Sequence, residues 1–186
     1  MREEEVFFNY IYKVVVVNCW IVLEKLVWKN QADDHVFENN FSFVMFNSKT
    51  IQMEKLTAKK VVVAGATGGI GRQLVKLLQQ SGAEVFVTGR DQVKLDALVS
   101  DLGLSPTHAV AADISNESDM QMLGSRVTSE MGTPDILINL AGIGIIKSMD
   151  HLTLAEFTQS LNTNLVGSFL FVKMFLPTMK ESKKGL

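Results

Sequence analysis

The sequence VVVAGATGGIG, from Val61 to Gly71, places four glycines within seven residues directly after an apolar run. A glycine-rich turn between a strand and a helix is the usual cradle for a phosphate group. Gly65 would permit the sharp turn off the strand. The other three glycines would let the backbone approach a pyrophosphate and the helix pack close to the sheet; they are Gly68, Gly69 and Gly71.

The residues that follow the loop narrow the kind of phosphate. Arg72 and Gln73 stand where a Walker loop requires Lys followed by Ser or Thr, so a nucleoside-triphosphate loop of that type is excluded. Glycines also make plain turns, but the strand before this loop and the helix after it favour dinucleotide binding.

Arg90 indicates which dinucleotide the glycine loop would bind. The second predicted strand ends Thr88-Gly89-Arg90, and Arg90 lies 19 residues after Gly71. An NAD site usually has a carboxylate near this point, on the ribose 2′-hydroxyl. Here Arg90 offers a guanidinium fork suited to a 2′-phosphate, and Asp91 is expected to cap the next helix. We therefore predict NADP(H), with NAD(H) as the alternative and a solvated loop cation as the simpler interpretation of Arg90.

Strand and helix patterns alternate four times between residues 59 and 183. The predicted strands are KKVVVAG, AEVFVTG, HAVAAD and PDILINLAG, and the first three helices are GRQLVKLLQQSG, DQVKLDALVSDLG and SNESDMQMLGSRVTSEMG. The chain from Thr153 to about Lys183 is expected to be mostly helical, with Pro177 near its far end. This order predicts an α/β fold: a Rossmann-type doubly wound parallel sheet of about four strands with flanking helices.

The composition changes near residue 52. Residues 1–52 contain no glycine and 10 of the 15 aromatic residues, whereas all 13 glycines lie at or after Gly65. We interpret residues 53–186 as the nucleotide-binding domain. Residues 1–52 are then either translated upstream sequence, with Met53 as the initiator, or a peripheral anchor. A membrane span is not expected, because the longest uncharged apolar stretch, VVVVNCWIVL, is half the required length.

Charge and metal-binding residue types exclude other function classes. A net charge of −2 provides no basic field for nucleic acid. The single cysteine, Cys19, fits a reducing compartment, so a cytoplasmic location is expected. The three histidines lack the spacing of metal ligands, and no metal site is predicted.

Two later motifs extend the pattern of the glycine loop. NLAG, ending at Gly142, resembles the NNAG that ends the fourth strand in short-chain dehydrogenases/reductases, and NTNLVGSF resembles their NxxG element at Asn164 and Gly167. The glycine loop fits both the compact and the extended branch, while these motifs resemble the compact single-domain branch. Ala64 replaces the usual threonine and Leu140 the second asparagine.

The resemblance implies an oxidoreductase that moves hydride between a nicotinamide cofactor and a small carbonyl or alcohol substrate. It implies catalysis by Asn164, through a helix kink and a bound water, and homo-oligomers in the full-length form. The cofactor-binding residues that it implies are Gly65, Thr67, Gly68, Gly69, Ile70, Gly71, Arg90, Asp113, Ile114, Asn139, Ala141 and Gly142.

The remaining catalytic residues of the family are absent from the matching segment. The family uses a serine, a tyrosine and a lysine four residues after that tyrosine, and the only tyrosines here are Tyr10 and Tyr12. We expect a C-terminally truncated member that is inactive alone and poorly soluble. The alternatives are a non-catalytic dinucleotide-binding or interaction module and one half of a split protein.

Overall fold

The structure is a computed structural model that describes residues 56–183. The two interpretations of residues 1–52, and the proposed start at Met53, fall outside the described residues. No helix within residues 56–183 has the length and apolar character needed to cross a membrane.

Four strands alternate with helices, as the hydrophobic pattern predicts. The strands are β1 (Lys60–Ala64), β2 (Glu84–Gly89), β3 (Ala109–Ala111) and β4 (Ile136–Asn139). The helices are α1 (Gly69–Gln80), α2 (Gln92–Leu102), α3 (Glu117–Glu130), α4 (Leu154–Leu161) and α5 (Gly167–Glu181). A short 3₁₀ turn, Pro106–His108, precedes β3, and a π turn, Asn162–Val166, joins α4 to α5.

The four strands form one parallel sheet in the order β3-β2-β1-β4. The chain moves outward from β1 to β3 and then returns to place β4 on the other side of β1. The strand order therefore reverses between β1 and β4, and the carboxyl ends of these two strands face a crevice. In open parallel sheets, ligands bind at this kind of crevice. The doubly wound α/β fold predicted from the sequence is confirmed.

Helices pack on both faces of the sheet, and the alternating strand side chains divide the core in two. Val62, Phe86 and Leu137 face α3 and α5, where they meet Phe171 and Phe175. The opposite face is covered by α1 and α2, and its buried members include Val61, Val63, Val75, Val87 and Leu95.

Local signals place three of the helix starts. Asp91 caps α2 by accepting from the Lys94 amide, Asn116 caps α3, and Thr153 forms a capping box with Glu156 at α4. Gly103 ends α2 in the left-handed conformation (φ +61°). The helix-capping role expected of Asp91 is confirmed.

Some finer expectations need correction. The spacing of Leu74, Val75, Leu77 and Leu78 predicts one apolar face on α1. In the structure Val75 and Leu78 are buried, but Leu77 is exposed, because it lies on the side of the helix that faces away from the sheet. The third strand is only three residues long, since the 3₁₀ turn takes up His108 and the strand stops at Ala111.

Candidate functional site

A cavity of about 220 Å³ lies at the carboxyl ends of the strands, at the crevice between β1 and β4. The glycine loop, the tips of β2 and β3, and the residues after β4 supply its walls. Its lining residues are Gly65, Thr67, Gly68, Thr88, Gly89, Arg90, Ala112, Asp113, Ile114, Leu140, Ala141, Gly142 and Thr163.

Two glycines of the loop are required by the fold itself. Gly65 has φ +74°, and a Cβ there would lie 2.4 Å from the Ala141 amide nitrogen. A Cβ on Gly71 would meet the Gly65 carbonyl oxygen at 2.3 Å and the Ala66 backbone at 2.8 Å. The loop can therefore pack against β4 and α1 only if both positions lack a side chain.

The other two glycines are not required by the fold. A Cβ on Gly69 would have no atom within 4 Å, and one on Gly68 would make only an ordinary contact with the Gly65 carbonyl oxygen at 3.5 Å. Gly68 is also the N-cap of α1 and provides no side-chain cap for the first amides of the helix. The start of α1 consequently leaves backbone donors uncapped beside the cavity, whereas α2, α3 and α4 have side-chain caps.

The tip of β2 is fixed by its neighbours. Thr88 is fully buried, and its hydroxyl donates to the Val110 carbonyl at 2.7 Å. Gly89 leaves room for the Thr67 side chain, whose Oγ1 would lie 2.9 Å from a Cβ at that position. The first contact ties the tip of β2 to β3, and the second brings it close to the glycine loop. The next residue, Arg90, lines the cavity.

Arg90 differs from the other two arginines within residues 56–183. Arg72 pairs with Asp101 at 2.6 Å, and Arg126 pairs with Glu130 at 3.4 Å. The guanidinium of Arg90 is exposed and has no carboxylate partner in this part of the chain, although it lines the cavity. It is the arginine available to an anionic group there.

The turn after β3 is built by carboxylates. Asp113 Oδ1 accepts from both the amide and the hydroxyl of Ser115, and the Asp113 amide donates to Asp119 Oδ2 at 2.8 Å. The next residue, Ile114, is buried and fills the space left by the missing side chain of Gly167. Asp113 and Ile114 therefore reach the same wall of the cavity as Arg90.

The segment after β4 is held by two asparagines. Asn139 is buried, and its Oδ1 accepts from the Ala141 amide at 2.9 Å. Asn164, in the π turn, accepts from the Ile143 amide at 2.9 Å and donates to the Ile143 carbonyl at 2.8 Å. Two asparagines lie two residues apart here, and only Asn164 has the NxxG spacing to Gly167. Asn164 is also the one that contacts this segment, while Asn162 is exposed.

The structure brings together most of the residues singled out from the sequence. Eight of the thirteen line the cavity: Gly65, Thr67, Gly68, Arg90, Asp113, Ile114, Ala141 and Gly142. Five do not. Gly71 and Asn139 are buried beneath the wall, Gly69 and Ile70 lie exposed at the start of α1, and Asn164 contacts the segment after β4. Sequence reasoning missed five lining residues: Thr88, Gly89, Ala112, Leu140 and Thr163. The first four lie at or just after strand ends and could have been included on that ground, whereas Thr163 lies in the π turn.

A wider groove of about 530 Å³ adjoins the cavity. Arg90, Asp113 and Thr163 line both spaces. The far wall of the groove belongs to one face of α4, including Thr158 and Gln159. The cavity and the groove therefore adjoin along the wall formed by these three shared residues.

Comparison with known proteins agrees with this geometry. The sequence profile of the short chain dehydrogenase family matches residues 59–186. An uncharacterised oxidoreductase of Staphylococcus aureus (strain MW2) is 32% identical over 133 residues, which are 72% of this chain and 58% of the relative. The uncharacterised oxidoreductase YvrD of Bacillus subtilis (strain 168) is 33% identical over 132 residues, 70% of this chain and 50% of the relative.

Solved structures show the same fold. A short-chain dehydrogenase/reductase from Brucella melitensis, of the glucose/ribitol dehydrogenase type, has a TM-score of 0.63 and 32% identity over 67% of this chain and 53% of its own. An actinorhodin polyketide ketoreductase variant solved with NADPH has a TM-score of 0.64 and 27% identity over 69% of this chain and 51% of its own.

This chain thus spans about half the length of these relatives, between 50% and 58%. The profile match covers more than half of the chain, and the cavity, the glycine loop and the strand order lie within it. The chain belongs to the short chain dehydrogenase family.

Proposed function

We propose that this chain binds NADP(H) in the crevice between β1 and β4. We further propose that it forms part of an oxidoreductase that acts on a small carbonyl or alcohol substrate. The observation that carries the proposal is the uncapped start of α1, which lies beside the cavity that the unpaired Arg90 also lines. A pyrophosphate would accept hydrogen bonds from the free amides there and would be stabilised by the positive end of the helix.

The glycine pattern supports the same ligand. Gly68 and Gly69 have space for a Cβ, so packing inside the protein gives no reason for glycine at these positions. A ligand that approaches the backbone closely supplies that reason. Gly65 and Gly71 would serve it indirectly, because they set the path of the loop.

Arg90 supports NADP(H) over NAD(H). The tip of β2 carries Gly89 and Arg90 rather than a carboxylate, so a free ribose 2′-hydroxyl would find no acidic partner there. A 2′-phosphate would find a guanidinium whose charge is not neutralised by a neighbour. Asp91 does not fill the missing role, because its carboxylate is occupied as the cap of α2.

When bound, the nicotinamide would supply or accept hydride. The residues of this chain hold and orient it: Asn139 fixes the Ala141 amide on the cavity wall, and Asn164 fixes Ile143 beside it. Asn164 is the catalytic residue that we propose from the family resemblance. Residues 56–183 contain no tyrosine that could act as the acid or base of the family's reaction. We therefore expect a polypeptide of the given sequence to bind the dinucleotide without catalysing hydride transfer.

Direct titration tests the proposal. NADPH and NADH are added to the full chain and binding is followed by the fluorescence of the reduced nicotinamide. We expect tighter binding of NADPH and a loss of about 10- to 100-fold in its affinity on Arg90→Ala, with little change for NADH. Arg126→Ala is the matched control, because Arg126 is paired with Glu130 on α3, far from the cavity. Equal affinities for both nucleotides, unchanged in Arg90→Ala, would contradict the 2′-phosphate assignment.

We also propose that copies of the protein associate through the outer side of α4 and α5. Large apolar side chains follow each other there at intervals of three or four residues, which places them on one helical face. They are Phe157, Leu161, Leu165 and Phe169, each between 42% and 58% exposed.

A further inference from the structure

A buried hydroxyl connects the segment after β4 to the π turn. Ser168 lies in the first turn of α5 and is 3% exposed. Its Oγ accepts from Asn139 Nδ2 at 2.8 Å and donates to the Asn164 carbonyl at 2.7 Å. The Ser168 hydroxyl is thus hydrogen-bonded both to the last residue of β4 and to the backbone of Asn164, the residue proposed for catalysis.

The direction of these bonds follows from chemistry. The Asn164 carbonyl can only accept, so the single proton of the Ser168 hydroxyl must point to it. Ser168 then has only lone pairs to offer Asn139, whose NH₂ group must face it. The remaining oxygen of Asn139 faces the Ala141 amide, which can only donate.

Three hydrogen bonds therefore run in one direction, from the Ala141 amide through Asn139 and Ser168 to the Asn164 carbonyl. Consecutive bonds with the same direction polarise one another. Two of the side chains involved, those of Asn139 and Ser168, are almost fully buried, so water cannot easily replace a lost partner.

The Ser168 hydroxyl also affects the shape of the helix at the start of α5. A serine that donates to the carbonyl four residues earlier competes with the helical backbone and tends to bend it. Here that carbonyl belongs to Asn164, in the widened turn where the Gly167 amide donates to Asn162, five residues back. Ser168 provides this carbonyl with a partner next to the irregular turn.

We propose that Ser168 is a positioning residue that sets the cavity wall at Ala141 and the backbone of Asn164 through one hydroxyl. It touches no ligand itself. The part of the proposal that concerns nucleotide affinity rests on the proposed function, whereas the part that concerns the two backbone segments does not.

Amide hydrogen exchange in the full chain tests the positioning role without a ligand. In Ser168→Ala, Asn139 loses its partner and its amide group is free to rotate, so exchange at the Ala141 amide should accelerate roughly tenfold or more beyond any change at Val62 in β1. Ser168→Thr keeps the hydroxyl and should restore slow exchange. Ser160→Ala is the matched control, because Ser160 makes the same bond to a carbonyl four residues earlier, that of Glu156, on α4.

A merely structural role for Ser168 would raise exchange at Ala141 and Val62 equally, and that result would overturn the proposal. If Ser168→Ala does not fold, the unmodified chain still tests it. The side-chain amide protons of Asn139 should exchange far more slowly than those of the exposed Asn116, and equal rates would overturn the proposal as well.

Nucleotide binding separates this inference from the proposed function. We expect Ser168→Ala to weaken NADPH binding roughly tenfold and Ser160→Ala to leave it unchanged. If the unmodified chain binds neither NADPH nor NADH, the proposed function fails while the exchange result at Ala141 stands. If the unmodified chain binds NADPH and Ala141 exchange is unaffected in Ser168→Ala, only the positioning role fails.

Discussion

At the scale of single residues, the glycine loop separates positions where the fold requires glycine from positions where a side chain would fit. Gly71→Ala would force a Cβ against the Gly65 carbonyl oxygen and the Ala66 backbone, and neither can move without displacing β1 or α1. We expect a loss of about 3 kcal/mol in the free energy of unfolding, measured by urea denaturation.

Gly69→Ala is the partner experiment to that substitution. The new Cβ meets open space at the first position of α1, so the free energy of unfolding should stay within about 1 kcal/mol of the original. NADPH affinity should nevertheless fall about tenfold, because the methyl group occupies the approach to the uncapped amides. Unchanged NADPH binding in a stable Gly69→Ala protein would argue against a pyrophosphate at this helix start.

Glu156 is a residue whose charge matters locally. Hydrogen bonds from the Lys147 ammonium and then from Thr153 lower the pKa of the Glu156 carboxyl from an ordinary 4.5 to about 2. The folded protein therefore binds this proton less readily than the unfolded chain. The stabilisation is fully present above about pH 4.5 and is lost as the pH falls toward 2.

We expect this pH dependence to appear at the start of α4. Exchange of the Phe157 amide, which donates to the Thr153 carbonyl, should become faster as the pH falls through that window, after correction for intrinsic exchange rates. Glu156→Gln should remove the dependence, and Glu181→Gln, on α5, should retain it. A dependence that persists in Glu156→Gln would assign it to another group.

At the scale of elements, two helix contacts depend on glycine to different degrees. A Cβ on Gly167 would meet Ile114 Cγ1 at 2.8 Å, and Ile114 is buried and stiff because it is β-branched. A Cβ on Gly124, in α3, would meet only the flexible side chain of Met174, in α5. The first contact packs the end of the π turn against the turn after β3, and the second joins two helices.

We therefore expect Gly167→Ala to lower the free energy of unfolding by about 1–3 kcal/mol. Gly124→Ala should be close to neutral, since Met174 can move aside and alanine favours the helix. Urea denaturation of both variants makes the comparison. A larger loss for Gly124→Ala would mean that the α3–α5 contact, rather than the π turn, is the rigid one.

The sequence predicts the elements well because their signals are local. Apolar runs followed by Gly65 or Gly89, the cap at Asp91 and the stop at Gly103 need no knowledge of distant residues. The π turn, in contrast, depends on Asn164 reaching Ile143, which is 21 residues earlier in the chain. The family resemblance implied a helix kink at Asn164, but the contact of Asn164 with Ile143 and the bond of Ser168 to Asn139, 29 residues away, could not be predicted from local patterns.

The helical aromatic cluster illustrates the same limit. By residue type alone, Phe169, Phe171, Met174 and Phe175 in the last helix suit either the core or a subunit contact. Phe171 and Phe175 lie in the core, while Phe169 is 58% exposed. The residue types identify these side chains as apolar, but only the direction of each side chain relative to the sheet decides which of them are buried and which are exposed.

At the scale of the whole molecule, the exposed apolar side of α4 and α5 predicts association between copies. Replacing Leu165 and Phe169 by glutamate would place two charges in the proposed contact and should shift the protein toward monomer. Sedimentation velocity measures the change in mass, with Val93→Glu, an exposed apolar residue on α2, as the control. A mass that is the same in all three proteins would contradict an interface on these helices.

The sheet order also bears on how the molecule folds. Val61 pairs with Val85, 24 residues later, and with Ile136, 75 residues later. Closing the longer loop costs about 1 kcal/mol more in chain entropy, so β1 and β2 can join before β4 arrives. The crevice needs both neighbours of β1, because Ala141 and Gly142 follow β4. The cavity therefore forms only once β4 has joined β1, and under the proposed function NADPH fluorescence during refolding would time that step.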